Sequence, residues 1–354
     1  MREIGPSEFL ESGSTVPVID VRAPAEYLHG HIPGAVNVPL FDDDERALVG
    51  TTYKQKSRSE SIDLGLDIVG PKMSGFVKLA RELASRKRIL VHCWRGGMRS
   101  ASMGWLLETA GFQVSVLKGG YKAYRSYIRE NLVTGRKFII LGGLTGSGKT
   151  RWLNELKASG EPVCDLEALA SHRGSVFGGI GLGNQPTNEQ FENNLYALLR
   201  SFRQGDVIWL EDESRLIGNV YLPDPLYSAM IASPLIRIEV PEELRVQIII
   251  DEYAPLSREK LADGIRKISR RLGGLVTQQS LELLANGDYP AVVRLILPYY
   301  DKTYAYSLQA RQAQEVVPLD LTGIPVDEYR IRLIEKKIGI NTINNNSSTL
   351  GIID

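Results

Sequence analysis

The chain has 354 residues, 43% of them hydrophobic and 24% charged, the proportions of a soluble globular protein long enough for two domains. Lysine plus arginine (42) equals aspartate plus glutamate (42), so overall charge points to neither nucleic acid nor membrane, and any polyanion site must be a local patch. Cys93 and Cys164 are the only cysteines, which excludes a disulfide framework or a cysteine-rich zinc site, and the four histidines are not spaced as a metal set. No apolar run approaches the roughly 20 residues of a membrane span. The opening "MREIGPSEFLESG" lacks the apolar core of a signal peptide, so a cytoplasmic protein with no membrane partner is expected.

Residues 1 to about 131 alternate strand and helix signals in the order of an α/β layer. Strands are expected in "TVPVIDV" and "AVNVPL", then a helix in "GFVKLARELAS", a strand in "RILVHC", a helix, a strand in "VSVL" and a helix in "YKAYRSYIRENL". The polar stretch at residues 41–65, "FDDDERALVGTTYKQKSRSESIDLG", reads as an excursion from this layer, a solvated loop. Cys93 falls in "VHCWRGGMRS", between an apolar strand and a helix, with Arg95 and Arg99 after it and Gly96 and Gly97 between them. Backbone N–H groups and the positive end of the helix would face the sulfur, and the two arginines add full charges. Such a loop favours a thiolate and binds an anion.

A cysteine followed by five residues and Arg-Ser describes both a cysteine phosphatase and a long-loop rhodanese. The upstream run "VIDVRAPAEYLHGHIPGAVNVPL", residues 18–40, resembles the rhodanese signature through Asp20-Val21-Arg22, Glu26-Tyr27 and Gly30-His31-Ile32-Pro33-Gly34-Ala35. It leaves open the phosphatases that share the fold.

A short charged hinge, "VTGRK", follows, and a second strand-loop-helix unit begins at "FIILGG". Residues 1–132 are therefore expected as one domain and 136–337 as a second. The asparagine- and serine-rich end, 338–354, reads as a flexible tail. Gly143-Leu144-Thr145-Gly146-Ser147-Gly148-Lys149-Thr150 matches the phosphate loop, between a strand and a helix as that motif requires. Its glycines let the backbone fold round phosphate oxygens, Lys149 reaches the terminal phosphates, and the Thr150 hydroxyl is available as a magnesium ligand. "DVIWLEDES" supplies an apolar strand ending in Glu211 and Asp212, candidates for metal or water. "CDLEALASHRGSVFGGIG" offers Asp165, Glu167, His172 and Arg173 as a ligand loop, with Cys164 a small strand-end hydrophobe. In "SREKLADGIRKISRRLGG", residues 257–274, Leu261, Ile265, Ile268 and Leu272 form an apolar stripe. Arg266, Lys267, Arg270 and Arg271 lie off it as a basic face suited to RNA phosphates. Tyr299, Tyr300 and Tyr304 are candidate base stackers or core.

A rhodanese domain followed by a phosphate-loop domain resembles the tRNA 2-selenouridine synthase family over nearly the whole chain. The motifs that carry the resemblance are "VGTTYKQ", "CWRGGMRS", "GLTGSGKT", "DLEALASHRGSVFG", "EDESRLIG" and "YYDKTY". It implies an α/β protein: an N-terminal rhodanese-like domain with a central parallel sheet, then a P-loop NTPase-like domain with a helical C-terminal part. The implied substrate is tRNA with a wobble 2-thiouridine. Its sulfur is geranylated from geranyl diphosphate and then exchanged with selenophosphate, with magnesium as the cofactor and no prosthetic group. The phosphate loop would cradle the diphosphate, and Cys93 would take up selenium as a perselenide while Arg95, Arg99 and the Gly96 and Gly97 backbone hold the anion. The competing readings are a rhodanese-fold sulfurtransferase or phosphatase with a nucleotide-binding regulatory domain, and a non-catalytic RNA-binding protein.

Overall fold

The computed structural model describes residues 1–310 and 316–349. It divides into two compact units, Met1–Leu132 with Glu189–Ala197, and Val133–Asn188 with the chain from Leu198 onward.

The first unit is built on a five-stranded sheet of β1 (Arg2–Ile4), β2 (Val18–Asp20), β3 (Val36–Asn37), β4 (Arg88–His92) and β5 (Gln113–Leu117), in the order β1-β5-β4-β2-β3. Every pairing is parallel, and the central strands are accordingly near-continuous apolar runs, since helices cover both faces of such sheets. Ile19, Val21, Ile89, Val91, Val114 and Val116 make its core together with Cys93. The first strand was not expected: it is a three-residue edge with a single buried side chain, Ile4, too short for any periodicity to show.

The polar stretch at 41–65 is not a loop. It forms most of two helices, Asp43–Gln55 and Arg58–Val69. The first starts on a capping box in which Asp42 accepts from the Glu45 N–H and Glu45 from the Asp42 N–H, both at 2.8 Å. Ser57 caps the second through the Glu60 N–H at 3.1 Å. These caps satisfy amides that a polar sequence would otherwise leave to water, and Phe41, Val49, Ile68 and Val69 attach the pair to the core.

Residues 189–197 of the Asn188–Ser201 helix belong to this unit, anchored by a polar cluster. Arg125 donates to Asn193 Oδ1 at 2.6 Å, and Asn193 Nδ2 donates to the His31 carbonyl and the Tyr121 hydroxyl at 2.8 Å each.

The second unit repeats the parallel plan with β6 (Lys137–Gly143), β7 (Val163–Cys164), β8 (Val207–Glu211), β11 (Leu235–Glu239) and β12 (Val316–Asp320), ordered β12-β11-β6-β8-β7. A small antiparallel pair, β9 (Leu216–Ile217) and β10 (Val220–Tyr221), stands apart. Between β11 and β12 lies the helical part: Glu242–Tyr253, Arg258–Lys267, Ser269–Leu272, Gly274–Asn286 and Tyr289–Ala310. The last helix, Tyr329–Thr349, runs on past residue 338, where a tail was expected to begin, because Ile340 is buried in the sheet's core with Tyr329 and Leu333. Residues 350–354 of that expected tail lie outside the described residues. No helix among the described residues is long and apolar enough to cross a membrane.

At the end of β2, Asp20 and Arg22 are both fully buried and paired through Nε at 3.0 Å and Nη2 at 2.6 Å. The guanidinium also lies 3.8 Å from the Tyr121 ring centroid. Burial alone would raise the Asp20 carboxyl, but the charges of His92 and Arg22 outweigh it and hold it below its ordinary value. Removing one member of such a pair strands the other's charge in a low-dielectric interior. Arg22→Met should therefore cost about 3–5 kcal/mol of unfolding free energy, measured by denaturant titration of the first unit's transition; a loss below about 1 kcal/mol would show that water reaches the pair.

Candidate active sites

In the first unit β4 ends at His92, and the segment 93–97 turns into the Met98–Thr109 helix with Gly97 at its N-cap. The loop is closed from behind by the start of the Gly120–Glu130 helix. The Tyr121 N–H donates to the Cys93 carbonyl at 2.8 Å and the Lys122 N–H to the Trp94 carbonyl at 2.9 Å. This approach demands glycine: Gly120 has φ +61°, and a Cβ there would lie 2.4 Å from both the Cys93 carbonyl oxygen and the Gly96 nitrogen. Gly96 is itself left-handed, at φ +68°, so two left-handed glycines interlock and fix the loop.

Cys93 is buried, with Sγ 3.2 Å from the Ser100 hydroxyl. That hydroxyl has one proton, and it also reaches the Gly97 carbonyl at 3.0 Å. A thiol can donate to Ser100 while Ser100 donates to the carbonyl; a thiolate recruits the same proton for itself. Arg95 is exposed, whereas Arg99 donates to Glu26 at 2.7 Å, a partner not foreseen from sequence. Glu26 also accepts from Arg46 Nε at 3.0 Å and from the Ala23 N–H at 3.1 Å. Burial works against this carboxylate's charge, but these donors hold it below its ordinary value. His92 is fully buried, and burial lowers it to about 4, so it is neutral at physiological pH.

In the second unit the phosphate loop leaves β6 and enters the Lys149–Ala158 helix, with Gly146 and Gly148 left-handed at φ +78° and +80°. Lys149 Nζ donates to the Gly143 carbonyl at 3.1 Å, and Ser147 is buried within the turn. Thr150 Oγ1 lies 3.0 Å from Glu167 Oε2 and 3.2 Å from Glu211 Oε1. Glu167, Glu211 and Glu213 bring carboxylate oxygens within 4.8 Å of one another. Glu211 is 2% exposed and its Oε2 has no hydrogen-bond partner. Burial pushes Glu211 up to about 7, against the pull of Lys149, and burial with the neighbouring carboxylates raises Glu167 and Glu213 as well. Hard oxygen donors around an unsatisfied carboxylate are the ligand set a magnesium ion takes, so these residues fit one.

The structure thus groups Thr150, Glu167 and Glu211 and adds Glu213. Asp212 points elsewhere and accepts from the Tyr304 hydroxyl at 3.1 Å. Asp165 caps the Leu166–Ala170 helix through the Ala168 N–H at 2.8 Å. Arg173 pairs with Glu252 at 3.0 Å, and His172, lowered by partial burial, packs against Gly178. None of these four joins the carboxylate group.

Sequence also missed what holds the loop. Arg245 donates from Nε to the Thr145 carbonyl at 2.9 Å and pairs twice with Asp301. Tyr304 accepts from the Gly143 N–H at 2.9 Å. Two residues of "YYDKTY" therefore serve the phosphate loop, Tyr304 through its hydroxyl. Beside the loop opens an apolar cavity of about 90 Å³, bordered by Thr145, Ile249, Leu261, Ile265, Ile296 and Tyr300.

The basic face is interrupted at Ile268, between two short helices, yet the stripe of Leu261, Ile265 and Ile268 is buried as expected, with Leu272 packed against it. Arg266, Lys267, Arg270 and Arg271 are all exposed. Arg266 pairs with Asp263 at 2.7 Å and Arg271 donates to the Tyr299 hydroxyl at 3.0 Å.

A glycine-locked cysteine loop on one parallel sheet and a metal-ready phosphate loop on another define a two-domain α/β enzyme of group transfer. A family model of the rhodanese-like domain matches residues 7–127, and one described as the tRNA 2-selenouridine synthase AAA domain matches residues 136–320. The chain is 36% identical over 344 residues to the tRNA 2-selenouridine synthase of Sulfurovum sp., covering 86% of this chain and 92% of that protein. The synthase so named of Nitrosomonas europaea is 36% identical over 353 residues, with coverage of 84% and 90%. That of Marinobacter nauticus is 37% identical over 342 residues, with coverage of 85% and 91%. The chain belongs to the tRNA 2-selenouridine synthase family.

The Glu211 carboxyl has a folded value above its unfolded one, so between about pH 4.5 and about pH 7 the unfolded state binds fewer protons. Stability without divalent metal should fall across that window, by on the order of 3 kcal/mol at most from this group. Magnesium, which needs the ionised form, should restore it increasingly as pH rises. Thermal melts of the second unit from pH 5 to 8, with chelator or magnesium, measure both effects. Glu211→Gln should flatten the pH slope and remove the magnesium response; an unchanged response in the variant would place the metal elsewhere.

Proposed function

We propose that this chain replaces sulfur by selenium at a wobble 2-thiouridine of tRNA in two steps, S-geranylation from geranyl diphosphate and exchange with selenophosphate. The observation that carries the reading is the apolar cavity bordering the phosphate loop at Thr145. A nucleoside base needs hydrogen-bond partners, and this lining, with Phe177, Tyr253, Tyr289 and Tyr300 set among aliphatic side chains, presents almost none. A prenyl diphosphate needs hydrocarbon lining next to a phosphate cradle, and the second unit offers that pair of features.

In the first step the thiocarbonyl sulfur attacks C1 of the prenyl chain as the bond from C1 to the diphosphate oxygen breaks, and the base loses its N3 proton to solvent. Lys149 and the loop N–H groups stabilise the negative charge that gathers on the departing diphosphate. Thr150, Glu167, Glu211 and Glu213 would hold magnesium, which when bound neutralises part of that charge. Arg245, paired to Asp301, keeps the Thr145 carbonyl turned away from the anion.

Alkylation matters because a thiocarbonyl sulfur is a poor leaving group, while an alkylated sulfur departs as a thiol. In the second step the Cys93 thiolate adds at C2 and the geranyl thiolate leaves. Selenium of selenophosphate then displaces Cys93, and water cleaves the selenium–phosphorus bond to give selenouridine and phosphate. No electrons are exchanged. A perselenide on Cys93 would leave a selenium–sulfur bond whose cleavage consumes two electrons, and Cys164 is fully buried in a core, unsuited to supply them.

Cys93→Ser should abolish selenium incorporation and leave geranylation intact. Lys149→Ala should lower geranylation about 10²-fold or more, and pyrophosphate should compete with the prenyl donor. Nucleoside mass analysis of tRNA after each half-reaction reads both variants. Equal loss of the two activities in folded Cys93→Ser, or a strict requirement of geranylation for ATP, would sink the division of labour.

The exposed Arg266, Lys267, Arg270 and Arg271 are the proposed contact to tRNA phosphates. Replacing all four by glutamine should weaken tRNA binding and flatten the plot of log affinity against log salt by about 0.7–0.9 for each phosphate no longer neutralised. Affinities at several salt concentrations test this, and superimposable curves for the two proteins would make the face an ordinary solvated one.

A further inference from the structure

A cleft of about 630 Å³ opens in the first unit, lined by the Asp43–Gln55 and Arg58–Val69 helices and the start of the Met98–Thr109 helix. None of the steps above uses it. Its lining carries four cations, Arg46, Lys54, Arg58 and Arg99, and no carboxylate. Glu26, outside the lining, is shared between Arg46 and Arg99, while Lys54 and Arg58 stand exposed on the two helices. The rim is therefore positive.

The floor has the opposite character. Leu40, Phe41, Val49 and Val69 line it from the core side. Leu66 and Met98 line it while remaining 66% and 54% exposed, and large apolar side chains gathered in a concave solvated surface mark a binding site rather than ordinary scatter. A hydrocarbon floor under a cationic rim complements an anion that carries an apolar substituent. Selenophosphate alone has nothing for the floor, and an unalkylated nucleotide has little. The cleft is continuous with the reactive loop in the chain: Met98 and Arg99 directly follow Gly97, and Phe41 shares a core cluster with Cys93.

We propose that this cleft receives the S-alkylated wobble nucleotide, with the prenyl chain on the apolar floor and the flanking phosphates on the cations. The proposal rests on the two-step reading above and adds a selectivity to it. The precursor and the product both lack the chain, so the cleft holds the intermediate and lets go of the nucleotide once the geranyl thiol has left.

The test uses the full chain and two anticodon stem-loop RNAs, one with 2-thiouridine and one with S-geranyl-2-thiouridine, in binding titrations at fixed salt. Wild type should prefer the geranylated RNA by about tenfold or more, the scale expected when several methylene groups leave water. Leu66→Glu should cut that preference to about threefold or less while leaving affinity for the 2-thiouridine RNA within about twofold. Lys54→Gln with Arg58→Gln should weaken both RNAs alike. Leu28→Glu, a matched charge on a 75% exposed residue outside the lining, should change nothing. Equal affinity of wild type for the two RNAs, or a preference that survives in Leu66→Glu, overturns the proposal. Should Leu66→Glu misfold by circular dichroism, Met98→Gln carries the same comparison. Conversion of the geranylated RNA by wild type with selenophosphate separates the two levels: no conversion refutes the two-step reading, and conversion with an unaltered KM in Leu66→Glu refutes the cleft alone.

Discussion

Arg245 is 5% exposed, and its guanidinium is divided between the Thr145 carbonyl and the Asp301 carboxylate. A phosphate loop gathers its N–H groups inward only if its carbonyls are turned out and held there, and here the holder is a charged group from the helical part. Tyr304 completes the grip by accepting the Gly143 N–H and donating to Asp212. Both contacts come from the Tyr289–Ala310 helix or its neighbour Glu242–Tyr253. The same two helices supply Ile249, Ile296 and Tyr300 to the apolar cavity. Loop geometry and hydrocarbon lining are thus set by one packing arrangement, and a change that loosens these helices must alter both.

The two anion sites reach their goal by different electrostatics. The cysteine loop relies on glycine-rich backbone at a helix N-terminus, with an exposed Arg95 nearby and Arg99 tied to Glu26. The phosphate loop sets one lysine against three carboxylates. With burial raising those carboxylates, the second site is poised between a protonated, metal-free form and an ionised form that needs a cation. On the reading proposed above, a diphosphate would bind there together with that cation, whereas the loop around Cys93 has no such carboxylate group beside it.

What could be read from sequence was local. A strand, a glycine-rich turn and a helix lie within a dozen residues, and both reactive loops were legible for that reason. The capping pairs Asp42 with Glu45 and Ser57 with Glu60 were equally local, and read as helix starts they would have replaced the expected loop at 41–65. Glu213 was missed because β8 ends at Glu211 and the Glu213 N–H turns back onto the Glu211 carbonyl at 3.0 Å, a tight turn that brings the two carboxylates together and that strand alternation does not predict. Arg245 and Tyr304 were not legible, since they meet the phosphate loop across 100 and 161 residues. The same holds for β12, which joins β11 in a five-residue parallel register only after the whole helical part has been passed.

The two helices at 43–69 have little apolar surface to bury, and their caps make up for it. Sparse anchoring leaves Tyr53 and Leu66, both in the cleft lining, exposed by 60% and 66%, a cost that a helix pair kept only for stability has no reason to carry. The cleft beneath them supplies one. Helices held by caps and a few core contacts shift against a sheet more cheaply than helices sunk into it, so the prenyl chain of the proposed intermediate would enter and leave without disturbing β4, on whose end the Cys93 loop is built.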